Sequence, residues 1–179
     1  MGKKIKEKQK ECADNLNFII NNLIICAMAN TYTKIYLQIV FSPFKRENVL
    51  PEIHDEELQK YTTGIIQNKK HKLLAIKYMP DHVHILIGYQ PSQPLPDLVR
   101  DIKANISRFI NDQKWLPGTF RWQEGYGAFS YSHSQIDNVI KYINNQEEHH
   151  LKSSFKDEYL NMLEKYEVQY DPEYLFEWI

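Results

Sequence analysis

The chain has 179 residues, 42% of them hydrophobic and 25% charged, a balance that suits one domain with a buried core and excludes a disordered or fibrous chain. Its 22 Lys plus Arg nearly cancel its 23 Asp plus Glu, so the net charge of -1 predicts no global attraction to nucleic acid or membrane. The average hides a gradient, +5 over residues 1–146 and -6 over residues 147–179, so a bound polyanion should meet the first part.

In chain order, residues 1–27 begin with a basic, low-complexity run (Lys3, Lys4, Lys6, Lys8, Lys10) and read as a dispensable extension, with Met28 opening a single functional domain over 28–179. The apolar run Leu16 to Met28 is broken by Asn17, Asn21 and Asn22 and is shorter than the roughly 18 to 20 residues that span a bilayer. Acidic Glu7, Glu11 and Asp14 also make it a poor secretion signal, so no membrane or export role is predicted. Both cysteines, Cys12 and Cys26, lie in this region, which leaves residues 27–179 without a disulfide or a thiolate zinc site and makes the predicted setting cytoplasmic.

From Tyr32 onward, Ile35, Leu37, Ile39 and Phe41 alternate with Tyr36, Gln38 and Val40, the pattern of a strand buried on one or both faces. His54 to Gln67 follows as a helix, with Leu58, Tyr61, Ile65 and Ile66 at helical spacing. A basic loop, Lys69 to Lys72, leads into Leu73 to Met79 and His82 to Tyr89, two strands of a hairpin joined by Pro80-Asp81. Pro91, Pro94 and Pro96 then break the chain before a helix from Asp97 to Asp112 with one apolar stripe. Gly118 to Ser130 reads as a fourth strand followed by a flexible corner, and further helices are predicted over Ser134 to His149 and Ser153 to Tyr166. The order strand, helix, strand, strand, helix, strand is that of an α+β, ferredoxin-like (split βαβ, RRM-like) antiparallel sheet with helices on one face. The other face is then free to present side chains to a ligand, and C-terminal helices follow.

His82-Val83-His84 lies in a strand of period two, so both imidazoles project from one face while Val83, Ile85 and Ile87 project from the other. Two histidines at i and i+2 can share one metal ion, although the pattern alone fits a satisfied structural pair equally well. On the third helix Tyr142 and Gln146 stand one turn apart, and Tyr142 lies off the apolar stripe Ile136, Val139, Ile140 and Ile143, where it can reach a site. In a chain with twelve tyrosines, a single one is by default a packing residue.

Three segments together carry a resemblance to a known family: Met79-Pro80-Asp81-His82-Val83-His84-Ile85, Trp122-Gln123-Glu124-Gly125-Tyr126-Gly127-Ala128-Phe129-Ser130, and Tyr142-Ile143-Asn144-Asn145-Gln146-Glu147-Glu148-His149-His150. In order and spacing, over roughly Tyr32 to Trp178, the chain resembles the insertion-sequence 200/605 (IS200-like) transposases, single-tyrosine enzymes of the HUH class. The resemblance implies that His82 and His84 bind a divalent metal, that Gln146 completes that site, and that Tyr142 attacks a phosphodiester of single-stranded DNA to leave a 5' phosphotyrosine. It also implies Mg2+ or Mn2+ as cofactor, a hairpin-containing single-stranded DNA partner, and a homodimer in which the histidines of one subunit meet the tyrosine helix of the other. Gly125 and Gly127 resemble the hinge on which that helix moves.

Lys69, Lys70, Lys72, Arg100, Lys103 and Arg108 can line a groove for the DNA backbone, or form an ordinary solvated face. Trp122 can stack on an unpaired base, or belong to the core. His149 and His150 read as residues that close the third helix in favour of its dipole in preference to metal ligands, and the acidic segment from Glu158 onward as a docking tail. Three other readings use the same residues: a domesticated nickase acting on host repeats, a catalytically inert nucleic-acid-binding module, and a metal hydrolase in which Tyr142 is structural.

Overall fold

A computed structural model describes residues 32–46, 50 and 52–175, and the compact unit that carries the sheet begins at Lys34. The extension expected over residues 1–27 lies outside the described residues. The elements are β1 (Ile35–Phe41), α1 (Asp55–Asn68), β2 (Lys72–Met79), β3 (His82–Tyr89), α2 (Leu95–Gln113), β4 (Gly127–Tyr131), α3 (Ile136–Asn144), α4 (Gln146–His150) and α5 (Phe155–Lys165). The sheet runs β2-β3-β1-β4 with every pair antiparallel, which is the expected ferredoxin-like order.

Local chemistry sets the element ends. Pro94 caps α2 in an extended conformation and Pro96 sits in its first turn, where a missing N–H costs nothing, while Lys114 stops the helix in the left-handed region (φ 56°). Asp55, Glu56 and Glu57 open α1, on the side that the helix dipole favours for negative charge. Ser154 caps α5 by accepting from the Asp157 N–H.

Alternation along the central strands sorts their side chains onto two faces. Ile39 and Phe41 of β1 with Val83, Ile85 and Ile87 of β3 pack against Leu58 and Ile66 of α1 and Leu98, Ile102 and Ile106 of α2. Each of these is fully buried, which contributes roughly 1.5–3 kcal/mol per side chain. Val40, Leu86, Ala75 and Phe129 lie on the opposite face and are also apolar, so that face needs a cover. It receives one from Ile136, Val139 and Ile143 of α3 and from Phe155, Tyr159, Met162 and Leu163 of α5.

Three expectations change here. The second sheet face is not free; the C-terminal helices cover it, giving a three-layer unit. The fourth strand is short and follows the glycine-rich corner, because residues 118–126 are irregular apart from the bridge between Trp122 and Pro43. The third predicted helix is two helices, broken at Asn145 (φ -99°, ψ 23°) between Tyr142 and Gln146. Among the described residues no helix is long and apolar enough to cross a membrane.

Candidate active site between the sheet and its C-terminal cover

His82 and His84 are wholly buried beneath the C-terminal helices. Their shared face follows from the β3 register, in which His84 lies opposite Val40 of β1 and Lys77 of β2. His82 Nδ1 lies 2.7 Å from Asp81 Oδ1, a contact that puts the proton on Nδ1 and leaves the lone pair on Nε2, which is buried without a hydrogen-bond partner among the described residues. Burial holds His82 down to about 4 against the opposing pull of Asp81, so the imidazole is neutral and ligand-ready at neutral pH. The ring stacks on Phe155 of α5 at 4.0 Å.

His84 is held differently. Gln38 of β1 donates its amide N–H to His84 Nδ1 at 2.8 Å and accepts from the Tyr131 hydroxyl through its oxygen, also at 2.8 Å. In that arrangement the proton of neutral His84 sits on Nε2, the nitrogen that faces Glu158. Turning the terminal amide of Gln38 over exchanges its donor and acceptor within the same envelope and frees the Nε2 lone pair.

Glu158 of α5 is 3% exposed and stands at the centre of the group. Its Oε1 accepts from the Tyr142 hydroxyl, accepts from Gln146 Nε2 at 3.1 Å, and lies 3.1 Å from His84 Nε2. Its Oε2 lies 2.9 Å from His150 Nε2. Burial pushes this carboxyl up, but the contacts from His150, His84 and Tyr142 more than reverse that and hold it well below the usual carboxylate range. Tyr142 moves the opposite way: burial and then the Glu158 charge raise its hydroxyl above the ordinary tyrosine value. A cavity of about 440 Å³ opens beside Tyr142, with Gln135, Asn138, Asn161 and Lys165 among its lining residues.

The structure thus brings His82, His84, Tyr142 and Gln146 together within one chain. The Tyr142 and His84 rings are 6.2 Å apart, so the tyrosine helix covers the histidines of its own subunit. Gln146 is fully buried with an unpartnered Oε1, and the break at Asn145 does not remove it from the Tyr142 side because both reach Glu158.

The other expected residues lie elsewhere. Arg100, Lys103 and Arg108 belong to α2, which packs on the sheet face opposite the imidazoles. Lys69 pairs with Asp101 at 2.5 Å and Arg100 with Asp97 at 2.6 Å, whereas Lys70 ends the turn after α1 at φ 64° and Lys72 opens β2. Lys103 donates to the Gln123 and Gly125 carbonyls at 2.5 and 2.7 Å, and burial pushes its ammonium down to about 8 against the pull of Glu124. It braces the corner, and with Arg100 and Trp122 it lines a cavity of about 480 Å³. Trp122 is 8% exposed and meets Phe41 and Phe120 edge-on, so it is a core residue and no platform for a base. Gly125 does need its positive φ of 76°, but it precedes β4 and Gly127 opens that strand, so the rest of β4 lies between both glycines and α3. Gly127 pairs with Val40, and a Cβ there would lie 2.9 Å from Phe129 and from Tyr159 of α5, so its glycine permits close packing.

Two residues at the centre, Glu158 and His150, have other roles in the sequence analysis, a docking segment and a helix end. Glu158 carries a legible signal: it sits on the α5 face that holds Phe155, Tyr159 and Met162, where an acid has no packing reason to be. His150 carries none beyond its place at a helix end.

A four-stranded ferredoxin-like sheet with buried paired histidines, covered by a helix that bears a tyrosine, defines the class. Residues 31–146 match the family model described as "Transposase IS200 like", and the chain belongs to that family. The match ends short of Trp178, the limit expected from the motifs. The ISDra2 transposase TnpA of Deinococcus radiodurans is 28% identical over 82 residues, 42% of this chain and 57% of that protein, so the chain matches little more than half the length of this relative. Two solved structures share the fold. One is a putative transposase from Deinococcus radiodurans (TM-score 0.54, 24% identity, 66% of this chain and 95% of that one). The other is a REP-associated tyrosine transposase bound to a REP hairpin (TM-score 0.52, 14% identity, 68% of this chain and 72% of that one).

Proposed function

We propose that the protein is a DNA-strand transferase that cuts and rejoins single-stranded DNA at the ends of a mobile element, with Tyr142 as nucleophile. The observation that carries this reading is the meeting of three side chains at one atom: the Tyr142 hydroxyl, the Gln146 amide and the His84 imidazole all approach Glu158 Oε1.

In the reaction, the Tyr142 oxygen bonds to the scissile phosphorus as the bond to the leaving 3' oxygen breaks. The product is a 5' phosphotyrosine with a free 3' hydroxyl, and one phosphodiester replaces another, so no nucleotide cofactor is consumed. The hydrogen bond to Glu158 orients the hydroxyl; as the new bond forms the hydroxyl gives up its proton, and the leaving 3' oxygen takes one up, so the proton count balances over the step. His82, His84 and Gln146 would hold a divalent cation, magnesium or manganese, which supplies the positive charge that polarises the phosphoryl oxygen. The donors fit that role: His82 Nε2 and Gln146 Oε1 are buried acceptors with no hydrogen-bond partner among the described residues. Tyr142 also needs such a charge, because burial and Glu158 both oppose its ionisation. The substrate is a hairpin-containing single strand, a reading supported by the REP hairpin bound to the structural relative. In this reading Tyr142 serves the histidines of its own subunit, supported by the 6.2 Å between the Tyr142 and His84 rings of one chain.

The test is a labelled single-stranded hairpin oligonucleotide from the flanks of the protein's own gene, incubated with Mg2+ or Mn2+ and resolved under denaturing conditions. A protein-DNA adduct is expected from the wild type, and none from Y142F, from H82A or with a chelator. An adduct that survives Y142F would assign the chemistry to another group.

A further inference from the structure

The family match ends at Gln146, yet residues beyond it bring two more metal-ligating groups to the same place. We propose that Glu158 of α5 and His150 of α4 are metal ligands beside His82, so that the C-terminal cover supplies part of the cation site. This assignment rests on the metal-dependent reading above and extends it to residues that reading does not use as ligands.

One ligand atom from each of His82, His150 and Glu158 falls within a group no more than 4.8 Å across. His150 Nε2 and Glu158 Oε2 are buried and 2.9 Å apart, an ion-pair distance, yet among the described residues neither atom has a hydrogen bond of ordinary geometry. A donor and an acceptor at that distance would normally align. Neighbouring ligand atoms on an octahedral ion with bonds of about 2.1 Å lie about 3 Å apart, so the spacing is that of two ligands side by side. His82 completes the argument: its Nε2 is also unpartnered, and Asp81 on Nδ1 is the outer partner that metal-bound imidazoles carry.

Two imidazoles and a carboxylate make a mixed nitrogen and oxygen set, which suits manganese better than magnesium. Coordination of Glu158 would also take up the negative charge that now faces the Tyr142 hydroxyl, coupling metal binding to the state of the nucleophile.

The experiment is calorimetric titration of the full chain with MnCl2, together with the metal-induced rise in Tm, for wild type, H82A, E158Q and H150Q. E158Q keeps the side-chain volume and an acceptor for Tyr142, and H150Q alters a half-buried position; metal-free melting checks that both fold. Loss of an outer partner weakens metal binding by about 10- to 100-fold, so each ligand change is expected to weaken Mn2+ by at least that much and to shrink the Tm rise. Wild-type affinity in E158Q overturns the role of Glu158, and in H150Q that of His150. If H82A alone loses binding, this assignment falls while the proposed function stands. A wild type that binds no Mn2+ overturns both. Should E158Q fail to fold, H150Q decides the assignment by the same criterion.

Discussion

The two faces of the central sheet are built from the same strands and do different work. Along β3, Val83, Ile85 and Ile87 point into a layer closed by α1 and α2, while His82 and His84 point into one closed by α3 and α5. The first face is uniformly apolar at its centre. On the second, an apolar frame of Val40, Leu86 and Phe129 surrounds buried Gln38, His82, His84, Gln146 and Glu158. The contrast teaches that one face supplies the stability that lets the other keep buried polar atoms without protein partners, and those atoms are where a ligand belongs.

The largest expected effect separates chemistry from folding. Y142F should bring adduct formation below detection while costing about 1 kcal/mol of stability, the usual net value of one hydrogen bond. Next, Ile85→Ala on the apolar face should lower the free energy of unfolding by about 2–5 kcal/mol in a denaturant titration, with Mn2+ affinity unchanged for the protein that remains folded. A loss under 1 kcal/mol would break the division between the faces. Gly127→Ala should cost about 1–3 kcal/mol, since its Cβ meets Phe129 and Tyr159 at 2.9 Å and α5 must shift to admit it.

The smallest effect compares two buried histidines. His71 lies away from the site, and its Nδ1 accepts from the Gln90 N–H at 3.0 Å. Burial lowers its pKa below 6.5, so the unfolded chain binds a proton that the folded chain resists. Its contribution to stability is therefore complete above about pH 6.5 and declines as the pH falls through and below that value. His71→Gln should flatten that part of the metal-free stability profile and leave Mn2+ binding as it was. An unchanged profile would show that His71 does not titrate in this window.

Much of this was legible in the chain. The period-two runs of β1 to β3 and the apolar stripes of α1 and α2 predict elements close to those observed, because each buries one regular face. The β4 boundary was not, since glycines and aromatics at 118–131 carry no period, and Trp122 and Phe120 pack from irregular backbone. An apolar stripe shows that a helix is covered but not by what, so the packing of α3 and α5 on the histidine face could not be read. His82, His84, Tyr142 and Gln146 were found through motif order, and the structure brings them together. The charge of Glu158 places it with an acidic tail, whereas its position among Phe155, Tyr159 and Met162 places it inside.

The central claim is that one chain holds a complete site on the second face of its sheet. The most direct test mixes Y142F with H82A, each inactive alone, and looks for the metal-dependent adduct on the hairpin substrate beside a wild-type control. Because the tyrosine helix lies over the histidines of its own subunit, the mixture should form no adduct. Restored adduct formation would mean that Tyr142 of one copy serves the histidines of another, and would contradict the account.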